Sequence, residues 1–213
     1  MIASLPVALA LEGARALVLG GDDEAADKAQ RLVAAGARVT VFAETVVPAL
    51  CAFAARGAAR WYARPYEGRD ARGVRIVVLT GRDEQVAREL REQGRRDGFW
   101  LSAIDLPAHC DFVWPSVTQA GLVQIALTSS GAAPALLKRV RLEFERLFDA
   151  RFVAFAERLA RERDALAGLP MDARRERMAA LLAGFSIEGR LHYPAWEATL
   201  DGQEAAVPVD PTQ

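Results

Sequence analysis

Residues 14–43, ARALVLGGDDEAADKAQRLVAAGARVTVFA, decide the fold. Ala14 to Gly20 is a short apolar run that ends in glycine, and from Asp23 to Gly36 apolar residues return at helical spacing through Ala25, Ala26, Ala29, Leu32 and Val33. Gly36 closes that helix, and Arg38 to Ala43 supplies a β-branched second strand. Strand, tight turn, helix and strand make a βαβ unit, for which a right-handed parallel crossover is the default.

The same alternation continues downstream. Val46 to Arg56 reads as a helix, Ala59 to Ala63 as a short strand, Val74 to Thr80 as a buried strand, Asp83 to Asp97 as a charged helix and Phe99 to Ile104 as another strand. Such a pattern predicts an α/β fold, a doubly wound parallel sheet of Rossmann type with helices on both faces. After Pro115, Leu122 to Thr128 looks like a strand, and Ser129-Ser130-Gly131 like a turn into a helix starting near Pro134. From there to about Leu166 nearly every residue is a helix former, with apolar positions at Leu136, Val140, Phe144, Leu147, Phe152, Phe155 and Leu159 and a possible break at Asp149-Ala150. Asp172 to Leu182 reads as one more helix, and residues 184–213 as irregular. The phenylalanine stripe is most simply a domain or dimer core.

Composition narrows the partners. With 213 residues, 52% of them hydrophobic, and a formal net charge of -1, the chain can bury one or two ordinary cores and has no global electrostatic bias. Nucleic acid is therefore not expected as a partner. Lys28 and Lys138 are the only lysines, all other basic residues being arginine, whose planar fork suits carboxylates and phosphates, although genome composition explains that equally well. Cys51 and Cys110 are too few for a disulfide framework and lack zinc-type pairing, which fits a reducing cytoplasm. Met1 to Leu11 is apolar but has no basic leader and is interrupted by Glu12-Gly13, so neither export nor membrane insertion is expected.

Chemistry concentrates in residues 102–115, SAIDLPAHCDFVWP. Open α/β sheets carry function in the loops beyond the carboxyl ends of their strands. Asp105 lies one residue past the apolar Ala103-Ile104 pair and is the first candidate for a working residue, with a cap or turn role before Pro107 as the plainer alternative. His109 and Cys110 could receive a transition-metal ion, although a cysteine before Phe112-Val113-Trp114 is more simply a buried small hydrophobe. Gly20-Gly21-Asp22-Asp23-Glu24-Ala25 has the setting of a dinucleotide turn, and Ala25 satisfies its last position. Asp22, however, stands where the backbone should meet pyrophosphate, and the three acids equally suit the macrodipole of the following helix. The turn reads as either an altered nucleotide site or a strand-to-helix connection.

Three separated segments then combine into a resemblance. Residues 16–28, ALVLGGDDEAADK, are similar to V-L-V-V-G-G-G-x-V-A-x-R-K and are followed by 32–41, LVAAGARVTV; residues 104–116, IDLPAHCDFVWPS, are similar to V-D-x-P-x-x-C-x-F-x-x-P-[AS]; residues 125–137, IALTSSGAAPALL, are similar to V-A-I-S-T-G-G-x-S-P-x-L. In this order and spacing, spanning roughly residues 5–165, the chain resembles the precorrin-2 dehydrogenase/sirohydrochlorin ferrochelatase family, the NAD-dependent module of siroheme synthases. The resemblance implies a homodimer with a Rossmann-type domain over 1–113, a dimerisation segment over 114–150 and a helical C-terminal region over 151–213. It also implies oxidation of precorrin-2 to sirohydrochlorin with NAD, insertion of Fe2+ as substrate metal, and one aspartate, matching Asp105, serving both steps as a proton acceptor. A separate uroporphyrinogen methyltransferase is a possible partner.

On this reading Gly20, Gly21, Asp22, Asp23, Ala25, Glu44, Thr80 and Gly81 are the candidate cofactor contacts. Ser129, Ser130, Lys138 and Arg139 are candidates for the tetrapyrrole, with capping and solvated helix charge as the plainer alternatives; Arg141 lies on the same helix. The departures from the family pattern are Asp22 for a third glycine, Gly81-Arg82-Asp83 for a T-D-D segment, Ala87 and Ser102 for asparagines, and Ala132-Ala133 for a small polar pair. All but the last are expected around the cofactor cleft, where they imply weakened NAD binding. A non-catalytic tetrapyrrole carrier or sensor derived from the family is the alternative function. His192, Tyr193 and Trp196 receive no role.

Overall fold

The computed structural model describes residues 5–129, 131–189 and 191. Contacts divide the chain into two compact units, Met1–Ala154 and Phe155–Gln213. The first unit is built on a five-stranded sheet of β1 (Arg15–Leu19), β2 (Arg38–Phe42), β3 (Arg60–Tyr62), β4 (Ile76–Leu79) and β5 (Trp100–Ala103). Every pairing is parallel and the strand order is β3-β2-β1-β4-β5, one Rossmann half extended past its central strand. The register sets Leu17 between Thr40 and Val77, and Val18 between Val41 and Val78.

Both faces of that sheet are covered, which explains why its strands are continuous apolar runs. Successive side chains alternate between faces. Ala16 and Val18 join Val39, Val41, Ile76 and Val78 in a core completed by Ala25, Ala29 and Leu32 of α1 (Asp23–Ala34) and Leu50 of α2 (Pro48–Ala55). Leu17 and Leu19 join Val77, Leu79, Leu101 and Ala103 on the opposite face, covered by Ala87 and Leu90 of α3 (Glu84–Asp97) and by Phe99. Lys28 of α1 is buried, and its charge is met within its own helix: the ammonium bridges Glu24 at 2.6 Å and Asp27 at 2.8 Å and lies 5.3 Å from the Trp114 ring centroid. Ala87 and Ser102, expected around the cofactor cleft, are instead core residues, on α3 and β5.

Residues 116–120, left without an assignment by the sequence pattern, form β6 (Ser116–Ala120), antiparallel to β7 (Val123–Leu127). Thr118 and Ala120 are buried on it while Gln119 is exposed, so the strand is amphipathic in a way its Ser-Val-Thr-Gln-Ala composition hides. α4 (Pro134–Leu147) follows, and the break at Asp149 has a local cause, since its carboxylate accepts from Phe152 N at 2.8 Å and starts α5 (Ala150–Ala165). Phe144, Phe148 and Phe152 stack in series across that break. The division between units falls within α5. In the second unit Phe155 stacks on Phe185, and α6 (Met171–Leu182) is tied back by Arg174 Nε donating to the Leu166 carbonyl at 2.8 Å. Among the described residues, no helix is long and apolar enough to cross a membrane.

Gly94 tests the packing between α3 and β5. In an ordinary helix interior alanine is favoured over glycine by about 1 kcal/mol. Here a Cβ would sit 2.9 Å from the Phe99 carbonyl and 3.0 Å from its buried ring, and overpacking of this kind costs roughly 1–3 kcal/mol. Gly94→Ala is expected to lower stability, read as a fall in the urea midpoint with an unchanged m-value; a rise would show that the ring moves freely aside.

Candidate active site

The carboxyl ends of β1, β4 and β5 open on one cleft of about 610 Å³, lined by Asp22, Glu24, Thr80, Gly81, Arg82, Ile104 and Asp105. The lining combines loop residues beyond β1, β4 and β5 with Glu24 from the first turn of α1, at the end of the sheet where open parallel sheets bind ligands.

Asp105 owes its place to a tight turn. β5 ends at Ala103, Ile104 N–H still bonds the Leu79 carbonyl at 2.8 Å, and Leu106 N–H then reaches back to the Ala103 carbonyl at 3.1 Å. The third residue of such a turn can require positive φ, and Asp105, at +60°, is the one non-glycine residue with positive φ among those described. Aspartate tolerates this region better than most side chains, at some cost in strain. The turn role and the cleft role weighed for Asp105 thus coincide. Its Oδ2 accepts from Arg82 Nη2 at 2.7 Å, with side-chain exposures of 57% and 79%. Ion pairs this exposed contribute about 0–1 kcal/mol, so the pair is easily exchanged for another partner.

The glycine turn is tight for reasons internal to the protein. Gly20 has φ +140°, and a Cβ there would lie 2.0 Å from Thr80 Oγ1; one on Gly21 would lie 1.9 Å from the Thr45 carbonyl. Gly21 also accepts from Val47 N–H at 2.7 Å, locking the loop before α2 over the turn. Asp22 then caps α1, accepting from Ala25 N–H at 2.8 Å. The first-turn amides of Asp23 and Glu24 have no intrahelical partner, as is general for helix starts, and the Thr80 hydroxyl is buried without one. An orphaned hydroxyl at a cleft of this size, beside a helix N-terminus, fits a dinucleotide. Asp22 opposes it, since its carboxylate takes one of the amides that a phosphate would use.

Of the residues predicted from sequence, the structure brings Asp22, Thr80, Gly81 and Asp105 together around the cleft. Gly20 and Gly21 form the turn behind them, Ala25 is fully buried on the core face of α1, and Asp23 and Glu44 are not among the lining residues. Ser129 Oγ accepts from Ala133 N–H at 3.0 Å at the entrance to α4, and Ser130 lies outside the described residues. Lys138 and Arg139 are exposed on α4 away from the cleft lining, and Arg139 pairs with Glu143 at 3.1 Å. Arg141 likewise pairs with Glu145 one turn on.

His109 is mostly buried in the 3-10 turn Pro107–His109, with Glu84 at 3.5 Å from Nε2. Cys110 turns the other way: its Sγ donates to the Ala103 carbonyl at 3.1 Å and accepts from Ala103 N–H at 3.2 Å. Burial pushes this thiol up from its ordinary value, so it stays protonated at neutral pH. Among the described residues no three His, Cys, Asp or Glu side chains converge as a metal site. The cleft residue that sequence reasoning did not name as a candidate contact is Arg82; the signal was a base standing where the resembling family has an acid.

Comparisons with known proteins agree with this architecture. The family model described as "Putative NAD(P)-binding" matches residues 7–116. A siroheme synthase of Methylococcus capsulatus is 30% identical over 201 residues, which cover 94% of this chain and 39% of that protein. One of Neisseria meningitidis is 33% identical over 163 residues, covering 76% and 34%. The chain thus spans between a third and two fifths of the length of these relatives. The solved structure of "SirC, precorrin-2 dehydrogenase" matches with a TM-score of 0.73 over 85% of this chain and 90% of that one, at 20% identity, a likeness of fold. With more than half of its length matched by the family model, the chain belongs to the "Putative NAD(P)-binding" family.

Proposed function

We propose that this protein works in siroheme biosynthesis, oxidising precorrin-2 to sirohydrochlorin, and that the same cleft accepts Fe2+ as a substrate for insertion into the product. The observation that carries the reading is a carboxylate just beyond the carboxyl end of β5, Asp105, on a cleft between the glycine turn and the β4 loop. NAD, when bound, supplies the acceptor for a hydride. Gly20, Gly21, Thr80 and Gly81 are the residues that would hold it, with the Thr80 hydroxyl as the unpartnered polar group.

The protein's own contribution is proton management. Desaturating a partly reduced tetrapyrrole releases a proton as well as a hydride, and metal insertion releases two pyrrolic protons. Asp105, exposed and held by a single weak ion pair among the described residues, can accept protons in either process. Homodimerisation through residues 114–150 is part of the same proposal, supported by the exposed Leu122, Leu136 and Leu147 of that segment, and so is a cytoplasmic setting. A separate uroporphyrinogen methyltransferase would supply the substrate. The Asp22 cap on α1 favours a second reading, a tetrapyrrole carrier or sensor that has lost cofactor affinity.

Two measurements test this. Asp105→Asn keeps a side chain that tolerates positive φ but removes the base, so NAD-dependent consumption of precorrin-2 should fall at least ~100-fold with the unfolding midpoint nearly unchanged; wild-type rates in this variant would end the assignment of the base. Calorimetric titration with NAD should show weak binding to the wild type and tighter binding to Asp22→Gly, in which the loss of the cap costs only a few tenths of a kcal/mol. Sirohydrochlorin binding with neither turnover nor NAD affinity would select the carrier.

A further inference from the structure

Arg82 is the one basic residue among the described lining residues of a cleft that otherwise presents the carboxylates of Asp22, Glu24 and Asp105. A ligand carrying several carboxylates meets repulsion from three acids on that lining and a positive charge only at the guanidinium. The backbone beneath Arg82 is firmly set, because the next residue, Asp83, caps α3 by accepting from Gln85 N–H at 2.9 Å and Val86 N–H at 3.0 Å. The side chain above it is largely free, with 79% exposure. It donates one hydrogen bond among the described residues, from Nη2 to Asp105, which leaves the rest of its planar fork open to a second carboxylate.

The geometry points to a substrate-operated latch. Arg82 is the receptor for a peripheral carboxylate of the macrocycle, and that carboxylate displaces Asp105 from the guanidinium as the ring seats. Before binding, Arg82 holds Asp105 and shields it from productive contact. After binding, the base stands unpaired beside the ring that must lose a proton. Arg82 is thus a positioning residue that acts through Asp105 and confers selectivity for polycarboxylate macrocycles. This deepens the tetrapyrrole reading above and rests on it.

The exchange predicts an unusual pattern in binding, measured by fluorescence titration of the full chain with sirohydrochlorin and with its methyl ester. Arg82→Gln should weaken sirohydrochlorin binding about tenfold or more, since a charge-assisted hydrogen bond to carboxylate is lost, and Arg82→Lys should restore part of it. The methyl ester should bind the wild type and Arg82→Gln alike. Asp105→Asn should bind sirohydrochlorin several-fold more tightly than the wild type, because the competing internal carboxylate is gone, and this gain should vanish when combined with Arg82→Gln. Equal affinity of the wild type and Arg82→Gln for sirohydrochlorin would overturn the latch while leaving the tetrapyrrole reading standing. A gain from Asp105→Asn that persists without Arg82 would overturn it too, being general relief of repulsion. An effect of Arg82→Gln on NAD binding alone would make Arg82 a phosphate contact and refute the proposal. Failure of the wild type to bind sirohydrochlorin would bring down the tetrapyrrole reading and the latch together.

Discussion

The structure depends on the passage from β1 to α1, where the backbone must pass between Thr80 and the Thr45-Val46 loop with no room for a side chain. β1 is the central strand, buried on both faces, so its direction is fixed by the pairings with β2 and β4. The helix that follows has to turn back at once to cover Val18 and Val41. Gly20 and Gly21 allow this, and the sharpness of their turn leaves a cleft between the start of α1 and the ends of β4 and β5. Cleft geometry is therefore a by-product of core packing, and a glycine pair here is explained without any ligand.

Much of this was readable in the sequence because burial writes itself into period. Residues 16–19 and 76–79 are apolar without interruption, as strands covered on both faces must be, and Ala25, Ala29 and Leu32 recur at the spacing of one helix face. Asp149 was a visible break and proved to be a helix cap. β6 was not readable, because a strand that buries only Thr118 and Ala120 in alternation has too little apolar signal to stand out from a loop. Asp105 was legible by its distance from a strand end. Its ion pair was not, for Arg82 lies 23 residues earlier and meets it only because β4 and β5 are neighbours in the sheet.

The cleft's charge distinguishes this chain from what its scaffold suggests. A dinucleotide scaffold is useful because helix amides and a dipole attract phosphate without needing a cation. Asp22 supplies an internal anion to the same amide system, and Glu24 adds a second on the cleft lining. The orphaned Thr80 hydroxyl shows that the site is not wholly self-satisfied. The fold and the residue chemistry therefore pull in different directions at this turn, the scaffold toward phosphate and the Asp22 carboxylate away from it.

The aspartate at the head of α1 fastens a helix and colours the cleft with one and the same carboxyl group. Folding and ligand choice are consequently not independent traits at this position. Exchange for glycine frees a first-turn amide for phosphate and gives up only a few tenths of a kcal/mol of anchoring, whereas a neutral cap such as asparagine or serine keeps the anchor without the charge.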